Sequence, residues 1–104
     1  MIYVPNGSKE EAQKLSKHLI EKKYVACSNI FPIISNFNWN FKFKNENEVV
    51  SIFKTRKENW EFLQQEITRI HSYECPCIIK IECEANEAYK KWIFKETIDC
   101  QKIR

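Results

Sequence analysis

The hydrophobic pattern of the chain changes period several times, and each change predicts an element. A short apolar run at 2–4 is typical of a strand. Ser8 and Glu11 then have the spacing of a capping box, in which each side chain binds a free backbone N–H group. Apolar residues follow at helical spacing: Ala12, Leu15, Leu19 and Ile20. This pattern predicts a strand followed by an amphipathic helix over 9–23.

The next part of the chain favours extended structure. Residues 24–31 are rich in β-formers, and Pro32 marks a bend or an edge position. Over 37–44 apolar and polar residues alternate strictly, which predicts one aromatic face. That face would hold Phe37, Trp39, Phe41 and Phe43. We expect a polar turn at 45–48 and a partner strand over 49–54, which together give a long hairpin.

The rest of the chain repeats the alternation of helix and strand. Thr55 and Glu58 have capping-box spacing and precede a second amphipathic helix that ends near His71. A strand over 77–83 and a third helix after an Asn86 cap complete the prediction. The order β-α-β-β-α-β with an added C-terminal helix indicates an α+β, ferredoxin-like fold with an antiparallel sheet.

Such a fold leaves one face of the sheet uncovered. The helices pack on one side, while the hairpin presents a row of aromatic side chains. Large apolar patches in contact with water usually mark association sites. We therefore expect a homo-oligomer in which sheets pack together and the hairpin reaches across subunits. The alternative is a monomer whose hairpin curls onto its own core.

Composition limits the classes of function. The chain has 104 residues, 43% of them hydrophobic and 30% charged, which predicts one folded domain over 1–104. The net charge of +3 comes with no dominant basic cluster, so no nucleic-acid partner is expected. Gly7 is the only glycine, which excludes glycine-rich phosphate-binding loops.

Composition also bears on location. No apolar run approaches the roughly 18 residues of a membrane span, so no membrane partner is expected. The first residues lack the basic and apolar regions of a signal peptide. The odd number of cysteines, five, argues against a closed set of disulfides. These features predict a protein of a reducing, cytoplasmic compartment.

One short stretch concentrates side chains that bind metals. His71, Glu74, Cys75 and Cys77 are all residue types that soft or borderline metal ions prefer. On a strand the two cysteines would share an apolar face, which predicts buried core thiols rather than ligands. A C-x-C pair without a second pair does not match structural zinc sites, although it could hold Cu(I). His71 and Glu74 are the stronger candidates, against the alternative that His71 only caps its helix.

Five runs of the sequence resemble, in order, the motifs of the CutA divalent-cation-tolerance family. They are Val4-Pro5-Asn6, Ala26-Cys27-Ser28-Asn29-Ile30, Trp39, Phe53-Lys54-Thr55-Arg56 and Ile70-His71-Ser72-Tyr73-Glu74-Cys75-Pro76. Three positions depart from that pattern. Ser72 stands where the family usually has proline, Cys77 where it has glutamate, and Phe41 where it has glycine.

The resemblance implies a ferredoxin-like subunit in a homotrimer without catalytic activity. It implies a role in binding and tolerance of copper or another divalent metal. We predict His71 and Glu74 as metal ligands, and Cys75 and Cys77 as weaker ones. A ligand cleft between subunits would contain Trp39, Lys54 and Tyr73.

The sequence leaves three other functions to compare with this one. A PII-like trimer that binds a small signalling ligand is the main alternative. An RNA-binding ferredoxin-like module is less favoured, because the RNP1 pattern and a basic patch are absent. A small hydrolase is not supported, since the sequence shows no persuasive Ser/His/Asp or Cys/His pairing.

Overall fold

The computed structural model describes residues 1–103. Four strands and three α-helices follow one another as β1 (Ile2–Asn6), α1 (Lys9–Glu21), β2 (Cys27–Trp39), β3 (Lys42–Lys54), α2 (Trp60–Ile70), β4 (Ile79–Lys80) and α3 (Glu87–Glu96). Short 3-10 turns precede α2 at Lys57–Asn59 and follow α3 at Cys100–Lys102. The sheet is antiparallel with the strand order β2-β3-β1-β4. This arrangement confirms the predicted ferredoxin-like α+β fold.

The start of α1 follows the predicted capping pattern. The Ser8 hydroxyl accepts a hydrogen bond from the Glu11 N–H group at 3.1 Å. The Glu11 carboxylate accepts from the Gly7 N–H group at 3.2 Å, one residue before the expected partner. The same carboxylate oxygen accepts from the Ser72 hydroxyl at 2.9 Å, so Glu11 ties this helix start to the loop after α2.

The core lies between α1, α2 and one face of the sheet. Its buried cluster consists of Ile2, Val4, Leu15, Leu19, Val25, Phe53, Leu63 and Ile67. Burying one large apolar side chain completely stabilises a fold by roughly 1.5–3 kcal/mol. The helical spacing of the apolar residues identified four of these positions: Leu15, Leu19, Leu63 and Ile67.

The predicted capping box of the second helix was wrong. The helix begins at Trp60, after a 3-10 turn, and the Thr55 hydroxyl donates instead to the Tyr24 carbonyl oxygen at 2.8 Å. Asn59 stands at the N-cap position but makes no side-chain cap bond there. Both side chains are used to hold the chain segment before β2, a tertiary role that local spacing does not reveal.

The hairpin turn was also misplaced. It lies at Asn40 and Phe41, and the predicted turn residues 45–48 belong to β3. The two turn residues have φ values of 52° and 65°, as a two-residue hairpin loop of type I′ requires. The predicted single aromatic face is therefore wrong. Phe41 occupies the turn, and the register places Phe43 on the face opposite Trp39.

The last strand is shorter than predicted, and its cysteines are not in the core. The predicted strand over 77–83 is reduced to Ile79–Lys80, paired with β1 at the edge of the sheet. Cys75, Cys77 and Cys83 are exposed, so the prediction of buried thiols was wrong. It is Ile78 that packs against the core, because its side chain points to the helix-covered face.

The second face of the sheet stays largely uncovered in the subunit. The register places Tyr3, Ile52 and Ile79 side by side on this face. We call it the open face. Large apolar side chains remain accessible along it, with Ile79 48% and Trp39 50% exposed.

Within residues 1–103 no helix is long and apolar enough to cross a membrane.

Candidate functional site

His71 ends α2 and is held by three hydrogen bonds. Its N–H group donates to the Ile67 carbonyl oxygen at 2.9 Å, which makes it the C-cap residue. Its ring nitrogen Nε2 lies 2.9 Å from the Pro5 carbonyl oxygen, and Nδ1 accepts from the Tyr73 N–H group at 3.0 Å. Since a backbone N–H can only donate and a carbonyl can only accept, Nδ1 is unprotonated and Nε2 carries the proton.

This hydrogen bonding defines how His71 could meet a metal ion. The lone pair of Nδ1 points at a backbone N–H group, which a metal would have to displace. Nε2–H bonded to a backbone carbonyl is the arrangement that orients metal-bound histidines. His71 is thus oriented as a Nδ1 ligand, while its use as one stays a prediction.

Tyr73 makes a short hydrogen bond to a mostly buried carboxylate. Its hydroxyl donates to Glu48 Oε2 at 2.6 Å, and Glu48 is only 9% exposed. Burial, and then the bond and negative charge of Glu48, raise the pKa of Tyr73 well above its usual value of 10.0. The phenol therefore stays neutral and donates at every physiological pH.

The other predicted ligands are on the surface. Glu74, Cys75 and Cys77 are all exposed in the loop between α2 and β4. Nowhere among residues 1–103 do three or more His, Cys, Asp or Glu side chains converge in a way that could hold a metal ion. A single subunit therefore offers no preformed set for ions such as Ca²⁺ or Mg²⁺, which take six or more oxygen ligands.

Two residues of the predicted cleft, Trp39 and Lys54, lie on one face of the sheet but far apart, and the third, Tyr73, lies in the loop after α2. The register pairs Trp39 with Lys42, Ile33 with Glu48, and Lys54 with Cys27 on the open face. Glu48 and Lys54 are six positions apart along β3, and Ile33 and Trp39 are six positions apart along β2. At about 3.3 Å per residue, each separation is about 20 Å. Within one chain, Trp39 and Lys54 therefore cannot line the same cleft, and neither meets Tyr73.

Two site residues were missed by the sequence reasoning. Glu48, which holds Tyr73, was assigned to a turn because it lies in a run of polar residues. Tyr89 of α3 lies with its ring 5.5 Å from Lys54 Nζ, and burial followed by Cys27 raises its pKa above 10.0. Only the alternation of β3, continued through its polar residues, could have placed Glu48 on the open face.

Comparison with known proteins decides the family. The family model described as CutA1 divalent ion tolerance protein matches residues 1–96. The chain belongs to the CutA1 family. It is 41% identical over 99 residues to the divalent-cation tolerance protein CutA of Archaeoglobus fulgidus, covering 94% of this chain and 96% of that protein.

Solved structures of CutA proteins share the fold. CutA1 of Pyrococcus horikoshii superposes with a TM-score of 0.90 at 35% identity, over 93% of this chain and 96% of that one. The A. fulgidus protein, described there as periplasmic, gives 0.88 over 91% and 94%. A protein of Nostoc described as PII-like CutA gives 0.86 at 29% identity, over 94% and 97%.

Proposed function

We propose that this protein is a non-catalytic homotrimer that binds divalent metal ions, copper among them, and contributes to divalent-cation tolerance. Membership of the CutA1 family supports the role in tolerance. We propose one such domain over 1–104. The main support for the proposed assembly is the open face. Along it, Trp39, Glu48 and Lys54 lie in a row, with about 20 Å between each residue and the next.

The spacing on the open face supports a site built from several subunits. The hairpin is the longest feature of the chain, whose greatest extent is 44 Å. If sheets pack face to face, the end of one hairpin, with Trp39, reaches the Lys54 or Tyr73 end of a neighbouring sheet. A contact between two different patches of the same chain forms a closed ring when its rotation closes. We propose three copies because the resemblance implies a trimer.

Glu74 and His71 are the divalent-metal ligands that we propose. Glu74 supplies an exposed carboxylate, and His71 would bind through Nδ1 and keep its Nε2–H bond to Pro5. A bound ion displaces the Tyr73 N–H group from Nδ1. Binding should therefore change the environment of the Tyr73 ring, which stacks edge-on against His71 at 4.7 Å.

A titration of the purified protein with Cu(II) and Zn(II) tests this proposal. We expect binding at micromolar concentrations or below, together with a change in tyrosine near-ultraviolet circular dichroism. His71→Ala and Glu74→Gln should each weaken binding. His18→Ala and Glu84→Gln are the matched controls, because these residues lie outside the loop. Wild-type protein that binds no divalent ion, or equal binding by all variants, would contradict the proposal.

Lys54 supports a second candidate, a small anionic ligand bound between subunits. Its ammonium group lies on the open face beside Tyr89 and makes no ion pair among the described residues. A cation beside an aromatic ring can hold an anionic, planar ligand. Loss of ligand binding in Lys54→Met, with retained trimer mass, would favour this candidate over metal binding.

We propose a cytoplasmic, reducing location. The five cysteines are all unpaired thiols in the structure, as expected where disulfides do not persist. Cell fractionation and thiol trapping test this directly. Recovery of the protein outside the cytoplasm, or with oxidised cysteines, would contradict it.

A further inference from the structure

The end of the β2–β3 hairpin carries two exposed phenylalanines and two lysines. We call these four residues the hairpin tip: Phe41, Lys42, Phe43 and Lys44. Phe41 is fully exposed in the turn, and Phe43, the second residue of β3, is 70% exposed. The register places Phe43 on the side of the hairpin opposite the open face. Contacts made through the open face therefore leave Phe43 uncovered and leave Phe41 at the end of the hairpin.

Phe41 lowers the stability of the fold in its present position. Its φ of 65° lies in the left-handed region, which glycine adopts freely and residues with a Cβ atom do not. Within residues 1–103 no packing contact offsets this strain, because the ring is fully exposed. Backbone strain of this kind is concentrated at functional positions. The position of Phe41 thus points to a role outside the fold of the subunit.

The charge of this part of the chain is entirely positive. Lys42 and Lys44 are the only charged residues between positions 24 and 45, and the first acidic residue after them is Glu46. Neither lysine forms an ion pair within residues 1–103. Two free ammonium groups beside exposed aromatic rings are complementary to a surface with negative charge above an apolar layer. A membrane that contains anionic lipids has this structure.

The size and shape of the hairpin tip favour lipid over other partners. Phe41 and Phe43 are two positions apart, which is about 6.6 Å along an extended strand. Amphipathic helices at membrane surfaces are buried to a similar depth, roughly 5–10 Å. The tip is a protrusion that a soft interface accepts directly, whereas a protein partner must supply a matching groove. Single-stranded nucleic acid is bound in a positively charged groove with stacking rings, and the tip forms no groove.

The backbone of the hairpin tip is compatible with this position. Pairing of β2 with β3 continues to Trp39 and Lys42, next to the turn, so the facing peptide groups are hydrogen bonded. We infer that the hairpin tip binds the surface of an anionic lipid membrane. The two phenyl rings enter the interface, and the two ammonium groups lie at the lipid phosphates. The prediction of no membrane partner rested on the lack of a spanning segment, which a surface contact does not need.

Cosedimentation with lipid vesicles tests this inference. We expect the purified protein to pellet with vesicles of phosphatidylcholine mixed with phosphatidylserine, and much less with vesicles of phosphatidylcholine alone. Phe41→Gly should weaken this binding about tenfold, because it removes one of two inserted rings while its backbone suits the turn. Lys42→Gln and Lys44→Gln should each weaken it roughly fivefold. Binding should also fall as the salt concentration rises.

The same chain supplies matched controls. Ile34 is an exposed apolar residue on the same side of the hairpin as Phe43, but it lies six positions from Asn40, about 20 Å from the turn. Lys57 is exposed beyond the far end of β3. Ile34→Ala and Lys57→Gln should therefore bind vesicles as wild type does. Phe41→Trp keeps an aromatic ring of the kind found at membrane interfaces and should retain binding.

Three results would overturn the inference. One is wild-type protein that does not bind vesicles, or binds equally with and without phosphatidylserine. Another is equal vesicle affinity in wild type and in Phe41→Gly. The third is binding of single-stranded RNA but not of vesicles, lost in the same variants, which would assign the hairpin tip to nucleic acid. The inference goes beyond the proposed function, and metal binding by His71 and Glu74 is tested separately by their own variants.

Discussion

Replacing Asn59 with alanine should remove a large part of the stability of the fold. Asn59 is completely buried, and its amide donates to the carbonyl oxygens of Tyr24 and Ile98 at 3.1 and 3.0 Å. A weaker third contact reaches the Thr55 hydroxyl at 3.2 Å. The Asn59 side-chain oxygen accepts from the Cys100 N–H group at 2.8 Å. One side chain thus joins three separate segments of the chain.

The cost follows from the groups that lose a partner. The Tyr24 carbonyl keeps its bond from Thr55, whereas the Ile98 carbonyl and the Cys100 N–H group lose the Asn59 side chain. An unsatisfied buried polar group costs about 1–3 kcal/mol. The Cys100 N–H group is buried and carries this cost in full, whereas the Ile98 carbonyl belongs to a partly exposed residue and carries less. With a small cavity, the free energy of unfolding falls by about 2–4 kcal/mol.

Urea unfolding at one fixed protein concentration measures this effect, because the stability of an oligomer depends on concentration. Asn47→Ala, at an exposed strand position, is the control and should change stability by less than about 0.5 kcal/mol. Asn59→Asp keeps an acceptor for the Cys100 N–H group, but its other oxygen faces two carbonyl oxygens. The loss of stability in this variant should therefore grow as the carboxyl group ionises, because its negative charge lies beside two acceptors. A loss below about 1 kcal/mol in Asn59→Ala would refute this reasoning.

Further predictions concern the hairpin turn and the contact between the helices. Phe41→Gly should raise the free energy of unfolding by about 0.5–1 kcal/mol in thermal or urea unfolding, because Phe41 is fully exposed at a φ of 65° that favours glycine. Asn40→Gly should gain less, since asparagine tolerates this conformation, and a loss in Phe41→Gly would instead show that another subunit contacts Phe41. Bonds from Arg69, and then His18, hold the pKa of Glu66 below 4.5, so its contribution to stability is present above about pH 4.5 and disappears as pH falls through the lowered pKa. Glu66→Gln should therefore be less stable than wild type by about 1 kcal/mol at pH 7, the difference should shrink as the pH is lowered below about 4.5, and a difference independent of pH would contradict this.

The order of the elements could be predicted because each buries one face at a regular period. The turn could not, since aromatic residues at 37, 39, 41 and 43 continue the period of two straight through it. Nothing in that alternation marks Asn40 and Phe41 as the residues with positive φ. The polar residues 45–48 suggested a turn, but in a hairpin that projects from the core a strand can be polar.

The candidate site was predicted only in part, because its contacts are long-range. His71 and Tyr73 are neighbours in sequence and in space, so the loop was found. Glu48, whose carboxylate holds Tyr73, lies 25 residues away along the chain. The alternating pattern predicted a strand over 77–83, whereas β4 spans only Ile79–Lys80. Cys75 and Cys77 lie outside this short strand and are exposed.

The open face supports the proposed assembly and can be tested by mass. Native mass spectrometry at micromolar concentration should give a particle of about three times the 12.6 kDa subunit. Ile79→Glu places a charge at an exposed apolar position on this face and should shift the mass toward the single chain. A 12.6 kDa particle in the wild type would contradict the proposed trimer and, with it, a binding site shared between subunits.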